Sequence, residues 1–220
     1  MLNDLKNYIQ TQCVHDAKEK PMTSSTGEGL NWLIDLRPLF LSPEWLNVVT
    51  EAFWAHYNTN EPIQVGGMEV AAIPLITALV MDGHKRGKDV SGFIIRKQRK
   101  TTGLGKRIEG DLKQGVRTVL VDDLINSGAS LEKCRLALLQ ADITFTDVFT
   151  VINFKNITGQ NWQSDHNIQL HSLFTSQDFN LPRPKKQPDM KRGYGINWRF
   201  YQKGAFPFHI VPKSTPLYHE

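Results

Sequence analysis

The sequence predicts an α/β fold built on a doubly wound, mostly parallel sheet, and two observations lead there. Short apolar runs alternate with stretches of helical periodicity between residues 30 and 175. One of the runs, Val119-Leu120-Val121, passes straight into two acids and a turn of small residues, as "TVLVDDLINSGAS" over 118–130. In a parallel sheet a ligand binds beyond the carboxyl ends of the strands, and this is the layout such an end requires.

The elements follow in order. Residues 1–22 read as an amphipathic helix, with Leu2, Leu5, Tyr8, Ile9 and Cys13 at helical spacing. A turn-rich loop, Thr23 to Gly27, leads to a strand over Leu30–Leu36. Ser42-Pro43-Glu44 marks a helix start, with Ser at the cap and Pro at the first position, and the helix runs to about His56. Pro62 to Gly67 is a short strand ending in glycines, Ile73 to Asp82 a helix with Pro74 in its first turn, and Ser91 to Ile95 a strand. Arg96 to Gly110 is polar, basic and without periodicity, so it is expected to be a long loop. Strands at Arg117–Val121, Thr146–Ile152 and Ile168–Leu173 complete the sheet, with a helix after the first carrying Leu131, Cys134 and Leu138 on its apolar face. From Leu181 the composition turns to Pro, basic and aromatic residues too irregular for a helix. The expected domains are therefore 1–180 and an extension, 181–220, of unassigned role.

The 220 residues are 40% apolar and 22% charged, ordinary for a globular protein. No run of eighteen apolar residues is present, and the first residues lack the layout of a signal peptide. Cys13 and Cys134 stand outside any paired motif, which fits a reducing compartment, and the expected location is the cytoplasm. The net charge is only +4, but Arg96, Lys97, Arg99, Lys100, Lys106 and Arg107 crowd one stretch. Such a patch attracts polyanions or a phosphorylated small molecule. It lacks the interleaved aromatics of a single-strand binder, so nucleic acid is not the expected partner. The seven histidines are scattered without zinc-ligand spacing.

The chemistry concentrates at 122–130. Asn126, Ser127, Gly128, Ala129 and Ser130 lead into a helix, whose first backbone N–H groups and dipole suit a phosphate. Asp122 and Asp123 would accept from sugar hydroxyls. Together they suggest a ribose 5-phosphate; the bland alternative is that the acids only cap a helix.

This stretch resembles the phosphoribosyl-pyrophosphate (PRPP) signature of type I phosphoribosyltransferases, and the likeness extends to the orotate phosphoribosyltransferase family. "GLNWLIDLR" (29–37) resembles that family's N-terminal segment, and "VGGMEVAAIPL" (65–75) its pyrophosphate loop. "RKQRKTTGLGKRIEG" (96–110) is similar to its mobile catalytic loop, and "FTDVFTVINF" and "IQLHSLFT" to its last two strands. The resemblance implies the type I phosphoribosyltransferase fold, with residues 1–40 forming an N-terminal helix and hood. It implies transfer of a 5-phosphoribosyl group from PRPP to a nucleobase-like acceptor, with release of pyrophosphate. Arg96, Lys97, Lys100 and Gly103 would then bind pyrophosphate, and Arg96, Lys97, Lys100, Asp122 and Asp123 would form the catalytic set. Asp122 and Asp123 would hold the ribose, and Asn126 to Ser130 the 5′-phosphate. Trp32 and Phe154 would face the base. Mg²⁺ would enter on PRPP, with no direct protein ligand. A homodimer sharing the basic loop is also implied.

Four positions depart from the family pattern. Ser25 stands where a lysine is expected, Thr102 where a histidine precedes Gly103, Asn126 where a threonine is usual, and Asn153-Phe154 where an Asp-Arg pair holds the carboxylate of orotate. Losing a guanidinium from a buried carboxylate costs about 2–5 kcal/mol, so Phe154 fits an uncharged base better than orotate. Two other readings stay open: a non-catalytic PRPP- or nucleotide-binding effector, and a variant running in the nucleotide-degrading direction.

Overall fold

The computed structural model describes residues 1–16, 22–23, 29–30, 32–98 and 107–181, with backbone only for 22–23 and 29–30. The chain divides into two units, Met1–Arg183 and Pro184–Glu220, and the described residues all lie in the first. The expected extension from Leu181 thus falls outside the description, Leu181 itself excepted; that residue packs against the core.

The N-terminus is helical only to Cys13: α1 (Leu2–Tyr8) continues as one wider helical turn, Ile9–Cys13. Leu5, Ile9 and Cys13, each four residues apart, are fully buried on one face. The helix expected to reach residue 22 stops there because Val14–Asp16 (β1) pairs with a later strand, Trp32–Ile34. Tertiary pairing overrides the periodicity, and the β-branched Val14 suits it. Met22–Thr23 (β2) and Gly29–Leu30 (β3) form a second two-stranded ribbon, and Trp32–Ile34 is β4. The strand expected over Leu30–Leu36 is therefore two short pieces, and a short helix, α2 (Arg37–Phe40), follows. Pro43–His56 (α3) begins where Ser42 and Pro43 predict.

The central sheet has six strands: β5 (Ile63–Met68), β6 (Val90–Ile95), β7 (Ile108–Gly110), β8 (Arg117–Ile125), β9 (Asp147–Asn153) and β10 (Gln169–Thr175). Their spatial order is β10-β9-β8-β5-β6-β7, with all neighbours parallel except the β6–β7 pair. Three helices cross between parallel neighbours: α4 (Ala72–Lys85), α5 (Ala129–Leu139) and α6 (Ile157–Asp165). The chain steps from β5 to β6 in one direction and from β8 to β9 to β10 in the other. Right-handed crossovers therefore put α4 on one face and α5 and α6 on the opposite face.

The core lies between the sheet and these helices. Val65, Val119, Val121, Phe149, Val151 and Ile152 contribute fully buried side chains from its middle strands. Each such side chain contributes about 1.5–3 kcal/mol by leaving water. Gln64 is also fully buried, and it is satisfied: its amide donates to Lys113 O and Thr118 Oγ1, both at 2.8 Å, while Oε1 accepts from Lys113 N at 2.9 Å.

Two boundaries differ from expectation and both bear on function. β8 does not end at Val121 but continues through both acids to Ile125, because Asp122, Leu124 and Ile125 stay in register with Thr150, Ile152 and Asn153 of β9. The stretch expected as one loop over 96–110 returns at its end as β7, where Ile108 pairs with Ile95 and Gly110 with Phe93. Arg96 N donates to Arg107 O at 2.9 Å, so the two feet of the basic segment are tied together.

Candidate active site

The strand order reverses between β5 and β8, and a crevice at the carboxyl ends of these strands is where an open parallel sheet binds ligands. The two strands approach closely there: a Cβ on Gly67 would collide with the Val121 carbonyl oxygen. Gly66 is equally constrained, since a Cβ would fall on the ring of Phe93. The glycines of "VGG" are thus required by packing in the sheet.

Asp122 and Asp123 occupy this end of β8. Asp122 is buried, and its carboxylate is closely engaged: Oδ2 accepts from Ser130 Oγ at 3.0 Å and Oδ1 from Asp123 N at 3.0 Å. Burial, and then the charge of Asp123, push the Asp122 carboxyl well above its ordinary value. Asp123 is more open, and its Oδ1 accepts from Leu124 N at 2.8 Å. Burial raises its carboxyl too, against the amide of Leu124 and the contact with Asp122, which lower it. Neither acid has a salt-bridge partner among the described residues. Two carboxylates held together without a cation suit hydroxyl donors or a cation brought by a ligand.

The turn after β8 reaches α5 through Gly128, which sits in the left-handed region at φ 81°. Asn126 is exposed, Ser127, Ala129 and Ser130 half-buried, and Gly128 buried. No side chain caps α5, so the amides of its first turn are left for another acceptor. The five residues 126–130 were expected as a loop before the helix; Asn126 to Gly128 form the turn, and Ala129 and Ser130 already belong to α5.

Residues that sequence reasoning left without a role also come to the site. Asp35 and Arg37 form a bidentate pair, with Arg37 Nε to Oδ1 at 2.7 Å and Nη2 to Oδ2 at 2.6 Å. That pair holds the Asp35 carboxyl below its usual range. Asp35 helps raise Asp123, and Asp123 in turn helps raise Arg37, so the β4–α2 junction lies beside the acids. Glu69, at the end of β5, accepts from Lys97 N at 2.9 Å and joins the turn after β5 to the root of the basic segment. The sequence signal for Glu69 was weak, a lone acid inside "GGMEV".

Arg96 and Lys97 stand at that root, Lys97 exposed and Arg96 with Nη1 at 3.6 Å from Glu109 Oε1. The Nε atoms of Arg96 and Arg107 are buried with no hydrogen-bond partner among the described residues. Lys100 and Gly103, with Thr102 and Ser25, lie outside the described residues. Trp32 and Phe154, far apart in sequence, meet with ring centroids 5.6 Å apart and planes tilted by 32°. Phe154 is fixed by its backbone, donating N–H to Ile125 O at 2.9 Å and accepting at O from Ser176 Oγ at 3.1 Å. The aromatic pair therefore lies off the carboxyl ends of β8 and β9.

A cavity of about 630 Å³ lies at the other end of the sheet, lined by Glu61, Arg117, Asp147 and the 142–146 turn. Two of its charged groups pair with each other: Arg117 Nη2 bonds Asp147 Oδ1 at 2.7 Å, and the guanidinium lies 5.4 Å from the Tyr57 ring. Size alone does not locate the site. Among the described residues no helix is long and apolar enough to cross a membrane, and no three His, Cys, Asp or Glu gather as a metal cluster.

Comparison with known proteins gives a consistent picture. No family model matches the chain. It is 30% identical to the orotate phosphoribosyltransferase of Pyrococcus furiosus over 152 residues, which cover 68% of this chain and 79% of the relative. The orotate phosphoribosyltransferase of Leptospira biflexa is 28% identical over 169 residues, covering 76% and 91%. Among solved structures, orotate phosphoribosyltransferase of Mycobacterium tuberculosis H37Rv superposes with a TM-score of 0.66 at 21% identity, over 80% of this chain and 97% of that one. With the switch-point acids, the small-residue turn and these relatives, the chain belongs to the orotate phosphoribosyltransferase family and is an enzyme of the phosphoribosyltransferase class.

Proposed function

We propose that the chain transfers the 5-phosphoribosyl group of PRPP to a nitrogen of a nucleobase-like acceptor and releases pyrophosphate. The observation that carries this reading is the continuity of one segment: two acids on β8 with no salt-bridge partner among the described residues, a left-handed glycine, and a helix N-terminus that no described side chain caps, at a switch point. Asp122 and Asp123 would accept from the ribose hydroxyls, and the backbone of 126–130 would hold the 5′-phosphate.

In the reaction a lone pair on the acceptor nitrogen forms the C1–N bond as the C1–O bond breaks. The electron pair leaves on pyrophosphate, and the acceptor proton passes to solvent. Little covalent work is asked of the protein, so positioning and neutralisation of the leaving group dominate. Arg96 and Lys97, at the start of the basic segment, would begin that neutralisation, and Lys100 and Gly103 would continue it. Closure of the segment would exclude water that would otherwise hydrolyse PRPP.

Mg²⁺ would arrive on PRPP. The hard oxygen donors of Asp122 and Asp123 are compatible with it, and Asp123, the more open, is the nearer candidate for contact through ribose hydroxyls. When bound, the ion offsets charge on the leaving group. Trp32 and Phe154 would present an aromatic face to the acceptor. The working unit would be a cytoplasmic homodimer sharing the basic segment.

The test is pyrophosphate release from Mg–PRPP with orotate and a panel of uncharged bases. Release that depends on one base supports the reading. PRPP binding without release for any base would favour the effector alternative, and breakdown of a nucleotide alone the degradative one.

A further inference from the structure

The turn proposed to hold the 5′-phosphate rests on α6. A Cβ on Gly128 would lie 3.0–3.2 Å from Cγ, Cδ2 and Cβ of Trp162, so the indole packs directly beneath the left-handed residue. One turn earlier, a Cβ on Gly159 would collide with the carbonyl oxygen of Asn126. Two glycines thus let α6 and the turn touch backbone to ring and backbone to backbone.

A buried charge joins the same elements. Glu132, in the first turn of α5, is 3% exposed. Its Oε2 accepts from Trp162 Nε1 at 2.9 Å and Arg135 Nε at 2.8 Å, and Oε1 accepts from Arg135 Nη2 at 2.8 Å. His166 Nε2 lies 3.4 Å from the same Oε2. Glu132 N in turn donates to Gly128 O at 2.9 Å, which ties this network to the turn itself. An acid in the first turn of a helix competes with an anion for the helix N-terminus. Here Arg135 and the indole N–H hold the carboxylate against α6 and absorb that charge, and buried partners of this kind fix orientation strongly.

We infer that Trp162 and Glu132 are positioning residues for the 126–130 turn, setting its amides for a ribose-borne phosphate through a hydrogen bond between α5 and α6. The inference rests on the phosphoribosyl reading of that turn. Neither residue touches the ligand. Their influence falls on the sugar-phosphate end alone, because on the proposed reading pyrophosphate is met from Arg96 and Lys97, which follow β6 rather than β8.

Trp162→Phe keeps an aromatic ring beneath Gly128 and deletes the N–H together with part of the indole's bulk, which is why the thermal midpoint is read beside the affinities. Affinities of this variant and wild type are measured for PRPP, ribose 5-phosphate and pyrophosphate, each with Mg²⁺, beside the thermal midpoint. The expected result is about tenfold weaker binding of PRPP and ribose 5-phosphate, the size of one charge-assisted hydrogen bond, with pyrophosphate binding unchanged. Should the variant fold poorly, Gly159→Ala, which displaces the Asn126 carbonyl, must give the same selective loss. A lowered midpoint with all three affinities unchanged, or equal loss of all three, overturns the positioning role. Wild type that binds neither PRPP nor ribose 5-phosphate overturns the phosphoribosyl reading itself, and the positioning role with it.

Discussion

β8 and β9 carry acids at both ends of the sheet, and the two ends treat them in opposite ways. At the amino end, Asp147 has its own cation: Arg117 bonds it at 2.7 Å, and Thr146 Oγ1 donates to its other oxygen at 3.2 Å. At the carboxyl end, Asp122 and Asp123 face one another with hydroxyl and amide donors but no salt-bridge partner among the described residues. An acid matched by a cation serves the fold. A pair left unmatched stores unfavourable electrostatics that a ligand can relieve, and such sites are less stable than they need be. The cavity of about 630 Å³ lies at the matched end, the proposed chemistry at the other.

The largest expected effect comes from converting the unmatched acid to its amide. The Asp122 carboxyl is raised in the folded chain, so between about pH 4 and that raised value the folded state keeps a proton that the unfolded state has lost. Stability contributed by Asp122 is therefore full at low pH and falls as pH rises. Asp122→Asn removes this penalty: its thermal midpoint should exceed that of wild type at about pH 8.5 and converge with it at about pH 4 and below. The same variant should bind PRPP about tenfold more weakly, the worth of a charged hydrogen bond. A wild-type midpoint that rises across this range relative to the variant would break the comparison.

Asp147→Asn should do the reverse. Denaturant unfolding should show a loss of about 1 kcal/mol, discounted because the Arg117 side chain is 40% exposed. PRPP binding should not change. Smaller still is the effect at the aromatic pair. Phe154→Ala should raise KM for the acceptor about threefold through lost ring contact, with KM for PRPP unmoved. A change in the PRPP value instead would move Phe154 out of the acceptor side.

Much of this was legible in the sequence because the signals were local. Alternation of apolar runs with helical spacing located five of the six sheet strands to within a few residues, β7 lying in the stretch expected as a loop, and Ser42-Pro43 located the start of α3. The small residues of 126–130 announced a turn before a helix; the left-handed conformation of Gly128 is read from the structure. What failed was decided at long range. Nothing local reveals that Val14–Asp16 will leave the helix to pair with Trp32–Ile34. The acids of β8 look like a strand end, yet β9 holds them in register to Ile125. Nothing local marks Trp162, and only folding brings it to Glu132, thirty residues away. The meeting of Trp32 and Phe154 was suggested by the family resemblance; their contact is a tertiary fact.

The most direct measurement is calorimetric titration of Mg–PRPP into wild type, Asp123→Asn and Asp147→Asn at one pH and salt. If the unmatched end is the ribose site, wild type and Asp147→Asn bind alike and Asp123→Asn loses about tenfold or more. Equal affinity in all three proteins, or a loss confined to Asp147→Asn, would contradict the assignment of PRPP to the carboxyl end of β8.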